Sequence, residues 1–230
     1  MPESAIAVVP ADWRSQLLDG LAPQDRKRVL AVAKPRRFAA NSVITNQGHP
    51  ADYLFLLTNG RARYFFDSQG GQHILLYWIG PGDLIGGKTL LSKPTSYLLS
   101  TEAVTDCAVL VWDRTTIRGF LPQHPILLEN ALSTASDYLA WYVAAHVALT
   151  CHSADQRLIG VLDSLSRVIG RRVSDGVLLD VSNEELANAA NVTPFTASRL
   201  ISAWRHSGAV KKSRGKLLLC PSFWHLQREP

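Results

Sequence analysis

The longest uninterrupted helical pattern in this sequence constrains the fold most strongly. Between Pro125 and Thr150 no glycine or proline interrupts the chain, and apolar residues recur at alternating steps of four and three. That spacing predicts a single long helix carrying a heptad seam for about three heptads. The predicted seam consists of Leu128, Leu132, Ala135, Leu139, Tyr142, His146 and Leu149.

A second apolar row runs beside this seam, and a helix with two apolar stripes must bury both of them. We expect one row to pack on the chain's own β domain and the seam to pair with a second copy, which makes a homodimer. The alternative is a long core helix inside a monomer. The second row consists of Leu127, Ala131, Tyr138, Trp141, Ala145 and Ala148.

Upstream of the helix the sequence favours short β-strands. Runs rich in β-branched, aromatic and leucine residues alternate with turn signals such as Asn59-Gly60 and Gly80-Pro81-Gly82, in which glycine allows positive φ angles. Strands at this spacing are typical of a small antiparallel barrel or jelly roll. The predicted strands cover residues 43–44, 53–57, 62–66, 73–78 and 108–112.

The C-terminal part carries the most specific motif. Ser182 and Glu185 have the spacing of a capping box, which starts a short helix that we expect to end near Ala190. After a tight turn, Thr193 caps a second helix with Pro194 at its first position, and Gly208 is placed to end it. Two helices joined by so short a turn predict a helix-turn-helix, and residues 209–219 predict a following hairpin, the wing.

A helix-turn-helix of this kind can place its second helix in the major groove of DNA, with the first residues at the base edges. The candidate base-reading residues are Thr193, Phe195, Thr196, Ser198 and Arg199. Cations on a hairpin next to that helix are suited to phosphates. The candidate phosphate-binding residues are Ser182, Lys211, Lys212, Arg214 and Lys216. The alternative is an ordinary helical hairpin beside a solvated basic strand pair.

Composition agrees with a cytoplasmic protein that has an acidic partner. The 230 residues carry a net charge of +5, which permits nucleic acid binding without demanding it. The start lacks the pattern of a secretory signal, and no apolar run approaches the roughly 20 residues that cross a bilayer. Three separated cysteines fit a reducing compartment and cannot supply the four thiolates of an iron–sulfur cluster. We expect a sensor domain over residues 1–124, a dimerisation helix over 125–152 and a DNA-binding domain over 153–230.

A β-roll, a long helix and a winged helix-turn-helix, in that order, resemble the cyclic-AMP receptor protein/fumarate-nitrate regulator (CRP/FNR) family. The segments that carry the resemblance are 44–48, 54–63, 80–83, 182–199 and 208–216. The resemblance implies an α+β fold of a cyclic-nucleotide-binding-like β-roll (jelly roll), a dimerisation helix and a C-terminal winged helix. It also implies a homodimeric transcription regulator that binds double-stranded DNA and RNA polymerase and is controlled allosterically by an effector.

The effector residues of the cyclic-nucleotide-binding members are missing. Alignment places Gly86-Gly87 where the family's ribose-binding Gly-Glu pair stands, and Tyr97-Leu98 where its phosphate-binding Arg-Ser pair stands. A buried phosphate would then lack an arginine that could bind it with two parallel hydrogen bonds. Lys88 or Lys93 could supply a charge but not this bidentate geometry. We therefore predict that cyclic AMP is not the effector.

Other sensing chemistries find little support in the sequence. In the family's carbon-monoxide sensors a Cys and a His bind haem, and these positions correspond here to Gly86 and Lys88. Haem would therefore have to bind through His49, His73 or His146. For each of these histidines a role on the surface or in the core is favoured over haem ligation. Cys151 beside His152 is the cysteine that best fits a redox effector, whereas Cys107 fits an inert core thiol. The sequence does not indicate a particular cofactor. We predict an effector pocket between the β-roll and the long helix, lined by Gly86, Gly87, Lys88, Trp78, Tyr97, Leu98, Tyr138 and Tyr142.

The recognition helix also departs from the family. The common Arg-Glu pair corresponds here to Pro194-Phe195, while the arginine one turn later is retained as Arg199. We therefore expect a palindromic operator whose sequence differs from the sites of Arg-Glu members. Two alternatives remain: a cupin-like metal-binding enzyme, which would need clustered histidines that the sequence lacks, and a non-DNA ligand-binding or interaction protein.

Overall fold

The computed structural model describes residues 13–70, 73–93, 95–213 and 216–228, with the side chains of residues 73, 213, 227 and 228 left out. The chain divides into two compact units, residues 1–140 and 141–230, and the division falls inside the longest helix. The first unit is a β-roll with its helices, and the second is a winged helix-turn-helix.

The β-roll consists of two four-stranded antiparallel sheets, with strand orders β1-β8-β3-β6 and β2-β7-β4-β5. Turn residues such as Gly60 and Gly82 have positive φ angles of 93° and 100°, as the glycine turn signals predict. The strands are β1 (Lys34–Phe38), β2 (Val43–Thr45), β3 (Tyr53–Asn59), β4 (Ala62–Asp67), β5 (His73–Ile79), β6 (Leu84–Ile85), β7 (Ser100–Ala103) and β8 (Cys107–Asp113).

Strands β3 and β8 are buried on both faces. Alternate residues of β3 point to opposite sides of the sheet, so Phe55 and Leu57 enter the core between the two sheets. Leu54 and Leu56 enter a second core on the other side, together with Trp112 of β8. The helices of this unit cover that second core.

Three α-helices belong wholly or partly to this unit: α1 (Pro23–Ala31), α2 (Arg114–Phe120) and α3 (Ile126–Cys151). Short 3-10 helices span Gln16–Leu18 and Gly87–Leu90. The first half of α3 packs Leu127 and Ala131 into the core on the helical side of the sheet. The first part of the second apolar row is therefore buried by the β-roll domain, whereas Trp141, Ala145 and Ala148 of that row belong to the second unit and are half-buried.

The predicted seam on α3 is exposed along its whole length. Leu132 is 68% exposed and Leu139 is 63% exposed, and the remaining seam residues are exposed as well. The two apolar rows of the helix therefore differ sharply in burial within one chain.

The second unit contains α4 (Ala154–Val168), α5 (Asn183–Ala190) and α6 (Pro194–His206). Its sheet has the order β11-β12-β10-β9. The strands are β9 (Arg171–Val173), β10 (Gly176–Asp180), β11 (Val210–Ser213) and β12 (Lys216–Leu219), and a 3-10 helix over Pro221–Arg228 follows, with Phe223 buried.

The structure corrects the sequence reading at several places. Strand β9 (Arg171–Val173), which pairs with β10, is not among the predicted strands. Strands β1 and β7 were missed as well. Strand β1, with the sequence KPRRF, has four exposed residues in five and therefore lacks an alternating apolar pattern. Pairing with β8 from Lys34↔Val111 to Phe38↔Cys107 makes it a strand.

Within the described ranges, no helix is both long and apolar enough to cross a membrane. The same ranges contain no group of three or more His, Cys, Asp or Glu side chains placed to hold a metal ion.

The turn between β3 and β4 yields a stability prediction. A Cβ on Gly60 would lie 2.4 Å from the backbone oxygen of Asp106, and φ is +93°. We expect Gly60→Ala to lower the free energy of unfolding by about 2 kcal/mol or more, measured by urea denaturation. Gly119→Ala is the matched control, because Gly119 lies in α2 with nothing within 4 Å of its added Cβ. An equal loss in both variants would contradict the role of the turn.

Candidate nucleic-acid interface and effector region

Local capping positions the helix-turn-helix. The Ser182 hydroxyl accepts a hydrogen bond from the Glu185 amide at 3.1 Å, and the Glu185 carboxylate accepts one from the Ser182 amide at 2.7 Å. Helix α5 ends at Asn191, which has a left-handed φ of 48°. Asparagine tolerates that conformation better than most non-glycine residues, so the chain can turn sharply into α6.

Helix α6 begins with its own cap. The Thr193 hydroxyl accepts a hydrogen bond from the Thr196 amide at 3.1 Å, and the two hydroxyls lie 2.9 Å apart. Both predicted base-reading threonines are therefore engaged with one another at the helix start. Ala197, Ile201 and Trp204 form the buried face of the helix.

The opposite face of α6 is open to solvent. Phe195 is 78% exposed, and Ser198 and Arg199 are exposed beside it. Arg199 forms no hydrogen bond or ion pair with the described residues. A large exposed aromatic side chain beside such an arginine is unusual on a helix whose opposite face is buried. The structure thus brings the five predicted base-reading residues together on the first two turns of α6.

The predicted phosphate-binding residues lie on the wing and at the start of α5. The Lys212 ammonium donates to the Asn183 side-chain oxygen at 2.6 Å, which brings β11 close to the N-terminus of α5. The Lys211 ammonium lies 3.9 Å from the Asp175 carboxylate, and both side chains are about two-thirds exposed. Lys216 is exposed on β12, and Arg214 lies outside the described residues.

One positioning residue escaped the sequence analysis. Arg157 of α4 donates from its guanidinium to the backbone oxygens of Ala190, at 2.9 Å, and Asn191, at 3.2 Å. It also donates to the backbone oxygen of His152 at 2.9 Å. These carbonyls include the free ones at the C-terminus of α5, so Arg157 ties α4 to the turn of the motif. No sequence signal marks it, because all of its partners are backbone atoms and two of them lie more than thirty positions away.

In the β-roll, the Tyr97 ring packs on Gly86, one of the residues that the sequence predicts to line an effector pocket. A Cβ on Gly86 would lie 2.9 Å from the Tyr97 ring, so the ring rests directly on the glycine. The Tyr97 hydroxyl donates to the Tyr53 oxygen at 2.8 Å and accepts from the Tyr53 amide at 3.1 Å. The ring is buried, and that burial raises the pKa of Tyr97.

The other predicted effector residues are dispersed. Trp78 is buried in the β-roll, whereas Leu98 is 65% exposed. Gly87 and Lys88 are half-buried on the 3-10 helix Gly87–Leu90. Tyr142 is exposed and belongs to the second unit.

Tyr138 belongs to a tyrosine cluster inside the first unit. Its ring centroid lies 4.9 Å from that of Tyr77 and 6.0 Å from that of Tyr64. Its buried hydroxyl has no hydrogen-bond partner among the described residues. The Tyr64 hydroxyl donates to the Leu84 oxygen at 2.9 Å. Burial raises the pKa of all three phenols, and the nearby Asp83 charge raises them further.

The cysteines differ in environment. Cys107 is buried and its thiol donates to the Arg61 oxygen at 3.1 Å; burial raises the pKa of this thiol to about 11, as suits an inert core residue. Cys220 is buried as well. Cys151, at the end of α3, is exposed.

Comparison with known families agrees with this architecture. The cyclic nucleotide-binding domain family matches residues 35–124, and the Crp-like helix-turn-helix domain family matches residues 156–227. The chain is 27% identical to the cyclic AMP receptor protein of Thermus thermophilus over 87% of this chain and 90% of that one. It is 23% identical to the anaerobic regulatory protein of Bacillus subtilis over 82% of this chain and 81% of that one.

Solved structures share the fold. FixK2 from Bradyrhizobium japonicum superposes with a TM-score of 0.74 at 19% identity, covering 86% of this chain and 99% of that one. The c-di-GMP responsive regulator CLP from Xanthomonas campestris gives 0.72 at 18% identity, covering 86% and 99%. A nucleotide-binding-type β-roll joined to a Crp-like winged helix defines a DNA-binding transcription regulator. Within that class, the chain belongs to the CRP/FNR family.

The contacts of Arg157 yield a second prediction. Arg157→Ala leaves up to three backbone carbonyls without their donor, so we expect the free energy of unfolding of the C-terminal unit to fall by about 1–3 kcal/mol. Arg167→Ala is the matched control on the same helix, because Arg167 is 74% exposed and, among the described residues, forms an ion pair only with Asp163 one turn away. That change should stay within about 0.5 kcal/mol. Urea unfolding followed by far-ultraviolet circular dichroism measures both, and equal losses in the two variants would contradict the positioning role of Arg157.

Proposed function

We propose that this chain is a homodimeric, sequence-specific regulator that binds a palindromic operator in the cytoplasm and is controlled by an effector other than cyclic AMP. The observation that carries the proposal is the solvent-exposed face of α6. Its capped first turns present Phe195, Ser198 and Arg199 beside a cationic wing. RNA polymerase is the expected partner of the DNA-bound dimer.

The chemistry of α6 suits direct readout in the major groove. Arg199 carries a guanidinium that can take guanine O6 and N7 bidentately, and Phe195 can contact a thymine methyl group. Ser198 adds a hydroxyl that can donate or accept. The Thr193 hydroxyl is held by its cap, so its part in readout is to fix the helix start near the DNA backbone.

Phosphate contacts would position this helix. The N-terminus of α5 offers free amides and the Ser182 cap, and Lys212 lies beside it through its bond to Asn183. The ion pair of Lys211 with the exposed Asp175 is weak, so a DNA phosphate can replace the aspartate as the partner of this lysine. Lys216 and Arg214 would extend this grip along the wing.

The exposed seam of α3 supports the dimer. Leu128, Leu132, Leu139, Tyr142 and Leu149 are between 44% and 68% exposed within one chain. A contiguous apolar stripe of this length is costly in water and is relieved by pairing with its own copy. A two-fold dimer would present two recognition helices to half-sites about 34 Å apart.

The filled position at Gly86 argues against cyclic AMP. A cyclic phosphate needs a cation at close range, and this region presents the Tyr97 ring instead. The nearby Arg114 guanidinium already donates to the backbone oxygens of Thr89, Leu91 and Ser92. A small molecule of other chemistry, haem or a redox signal at Cys151 are the remaining classes of effector.

Selection from a random-duplex pool tests the DNA-binding proposal. We expect a two-fold palindrome whose affinity falls steeply with salt, because cations gripping several phosphates release counterions. Arg199→Ala should cost about 1–3 kcal/mol and relax one position in each half-site. Arg205→Ala, also exposed but on the last turn of α6, is the control and should leave the consensus unchanged.

Binding without any consensus, or equal relaxation by both arginine variants, would contradict the proposed readout. The same titrations repeated with cyclic AMP should give unchanged affinities. A cyclic-AMP-dependent gain in affinity would overturn the effector proposal while leaving the DNA-binding assignment in place.

The dimer is tested on the seam. Leu132→Glu should place a charge in the apolar interface and shift the protein to monomers, as sedimentation equilibrium would record. Leu91→Glu is the control, because Leu91 is an exposed leucine of the β-roll away from α3. If the wild-type protein sediments as a monomer, or Leu132→Glu remains dimeric, the seam is not the interface.

A further inference from the structure

Three tyrosines and one aspartate form a cluster where helix α3 packs on the β-roll. Tyr64 lies on β4, Tyr77 on β5 and Tyr138 on α3, and the Tyr138 ring centroid lies 4.9 Å from that of Tyr77 and 6.0 Å from that of Tyr64. Asp83 lies in the turn directly before β6. Burial is the main cause that raises the pKa of all three phenols, and the Asp83 charge adds to it, which places this carboxylate beside the cluster.

Hydrogen bonds fix the backbone around Asp83. The Asp83 amide donates to the Gly80 oxygen at 3.1 Å, and the Asp83 oxygen accepts from the Leu57 amide at 3.1 Å. The Gly80 amide donates to the Asp83 carboxylate at 2.8 Å, which closes the turn. The next residue, Leu84, accepts from the Tyr64 hydroxyl at 2.9 Å. The turn therefore holds the carboxylate in place beside the cluster.

The charge of Asp83 is poorly compensated. Within the described residues its carboxylate forms no ion pair, and the Gly80 amide is its one side-chain hydrogen-bond partner. The buried Tyr138 hydroxyl does not help, because it has no partner among the described residues. Burial raises the pKa of Asp83 to about 6, although the hydrogen bond from Gly80 lowers it in part. An ionised carboxylate in such surroundings is unfavourable.

The other elements around the cluster do not offset this charge. Helix α3 contributes Asp137, a second anion, which is exposed and accepts a hydrogen bond from the Gln16 side-chain amide at 3.3 Å. The Asp137 charge raises the pKa of two of the phenols as well. Strand β3 meets the turn with the uncharged Leu57. The N-terminal segment meets it with the backbone of Arg14, whose guanidinium forms no ion pair with Asp83 in the described part of the chain.

We propose that Asp83 is a proton-operated switch for the packing of helix α3 on the β-roll. Uptake of a proton by the Asp83 carboxylate stabilises the packed position of the Tyr138 ring, and loss of that proton favours withdrawal of the ring. The physical reason is solvation. Withdrawal of the ring lets water reach the ionised carboxylate, whereas the neutral acid gains much less from water.

Proton linkage gives the direction and the size of the effect. Burial raises the pKa of Asp83 from its ordinary value of 3.8 to about 6 in the packed state. The packed state therefore binds the proton more tightly, so packing gains stability as the pH falls through 6 and loses it as the pH rises above 6. Between about pH 8 and about pH 5 the ratio of packed to withdrawn α3 should rise about tenfold.

The cluster lies next to the predicted dimer seam. Ala135 and Leu139 are exposed seam residues on the same turns of α3 as Tyr138. Looser packing of Tyr138 would therefore also loosen the part of the seam that these residues form. An effect on the dimer or on DNA binding rests on the function proposed above, whereas the proton-dependent packing itself does not.

Hydrogen exchange of the full chain tests the switch. We expect the protection factors of the α3 amides near Tyr138, corrected for the intrinsic pH dependence of exchange, to be about tenfold higher at about pH 5 than at about pH 8. The amides of β1 are the internal control, because β1 lies at the opposite edge of its sheet from β6. Unchanged protection in α3, or an equal change in β1, overturns the proposal.

Matched variants identify the titrating group. Asp83→Asn retains an acceptor for the Gly80 amide but has no charge at any pH, so protection should stay at its low-pH level and lose its pH dependence. Asp137→Asn is the matched control and should retain the tenfold change. Tyr138→Phe keeps the ring and removes the unpartnered hydroxyl, so it should retain the pH dependence as well. Persistence of the tenfold change in Asp83→Asn, or its loss in Asp137→Asn, overturns the proposal.

The wild-type chain provides a test that does not depend on the folding of a variant. The change in α3 protection should have its midpoint near pH 6, the pKa that burial gives Asp83, and a midpoint near 4 overturns the proposal. The measurement is repeated at two protein concentrations, and a pH effect that grows with concentration reports association and overturns it too. None of these measurements involves DNA, so their failure is distinguishable from failure of the proposed function.

Discussion

The two-sided burial of strands β3 and β8 is the constraint on which the N-terminal unit depends. Phe55 and Val109 face the opposing sheet, while Leu54 and Trp112 face the helices. One pair of strands therefore joins two cores, and a shift of register by one residue would exchange the contents of both. The Trp112 indole adds a hydrogen bond to the Val29 oxygen of α1 at 2.8 Å, which anchors the helical layer. Helix α3 can leave its seam exposed because its other row is held by this layer.

Local signals predicted much of this structure from the sequence. The capping box at Ser182 and the Thr193-Pro194 pair located α5 and α6 closely, because helix starts depend on side chains within three or four positions. The absence of glycine and proline after Pro125 predicted α3 in the same way. Glycine turns such as Gly60 marked the β-hairpins.

Features that depend on distant partners were not predictable. Strand β1 carries Arg36 and Arg37 at its exposed positions and becomes a strand only through β8, some seventy residues later in the chain. Arg157 donates its hydrogen bonds to backbone oxygens, which every residue type carries, so the sequence does not reveal these contacts. The sequence predicts Tyr97 at a ligand position, but only the folded structure shows that its ring occupies the space above Gly86 and that its hydroxyl bonds to Tyr53.

The packing of Tyr97 on Gly86 has a consequence for how such a chain could evolve. A single change of Tyr97 to arginine would bring a cation but would also remove both hydrogen bonds to Tyr53 and leave the space of a ring unfilled. A change at Gly87 to a carboxylate would gain nothing while the ring remains. On the effector proposal, a gain of nucleotide binding here would therefore require several substitutions at once, because the packing of Tyr97 on Gly86 makes the effect of each substitution depend on the others.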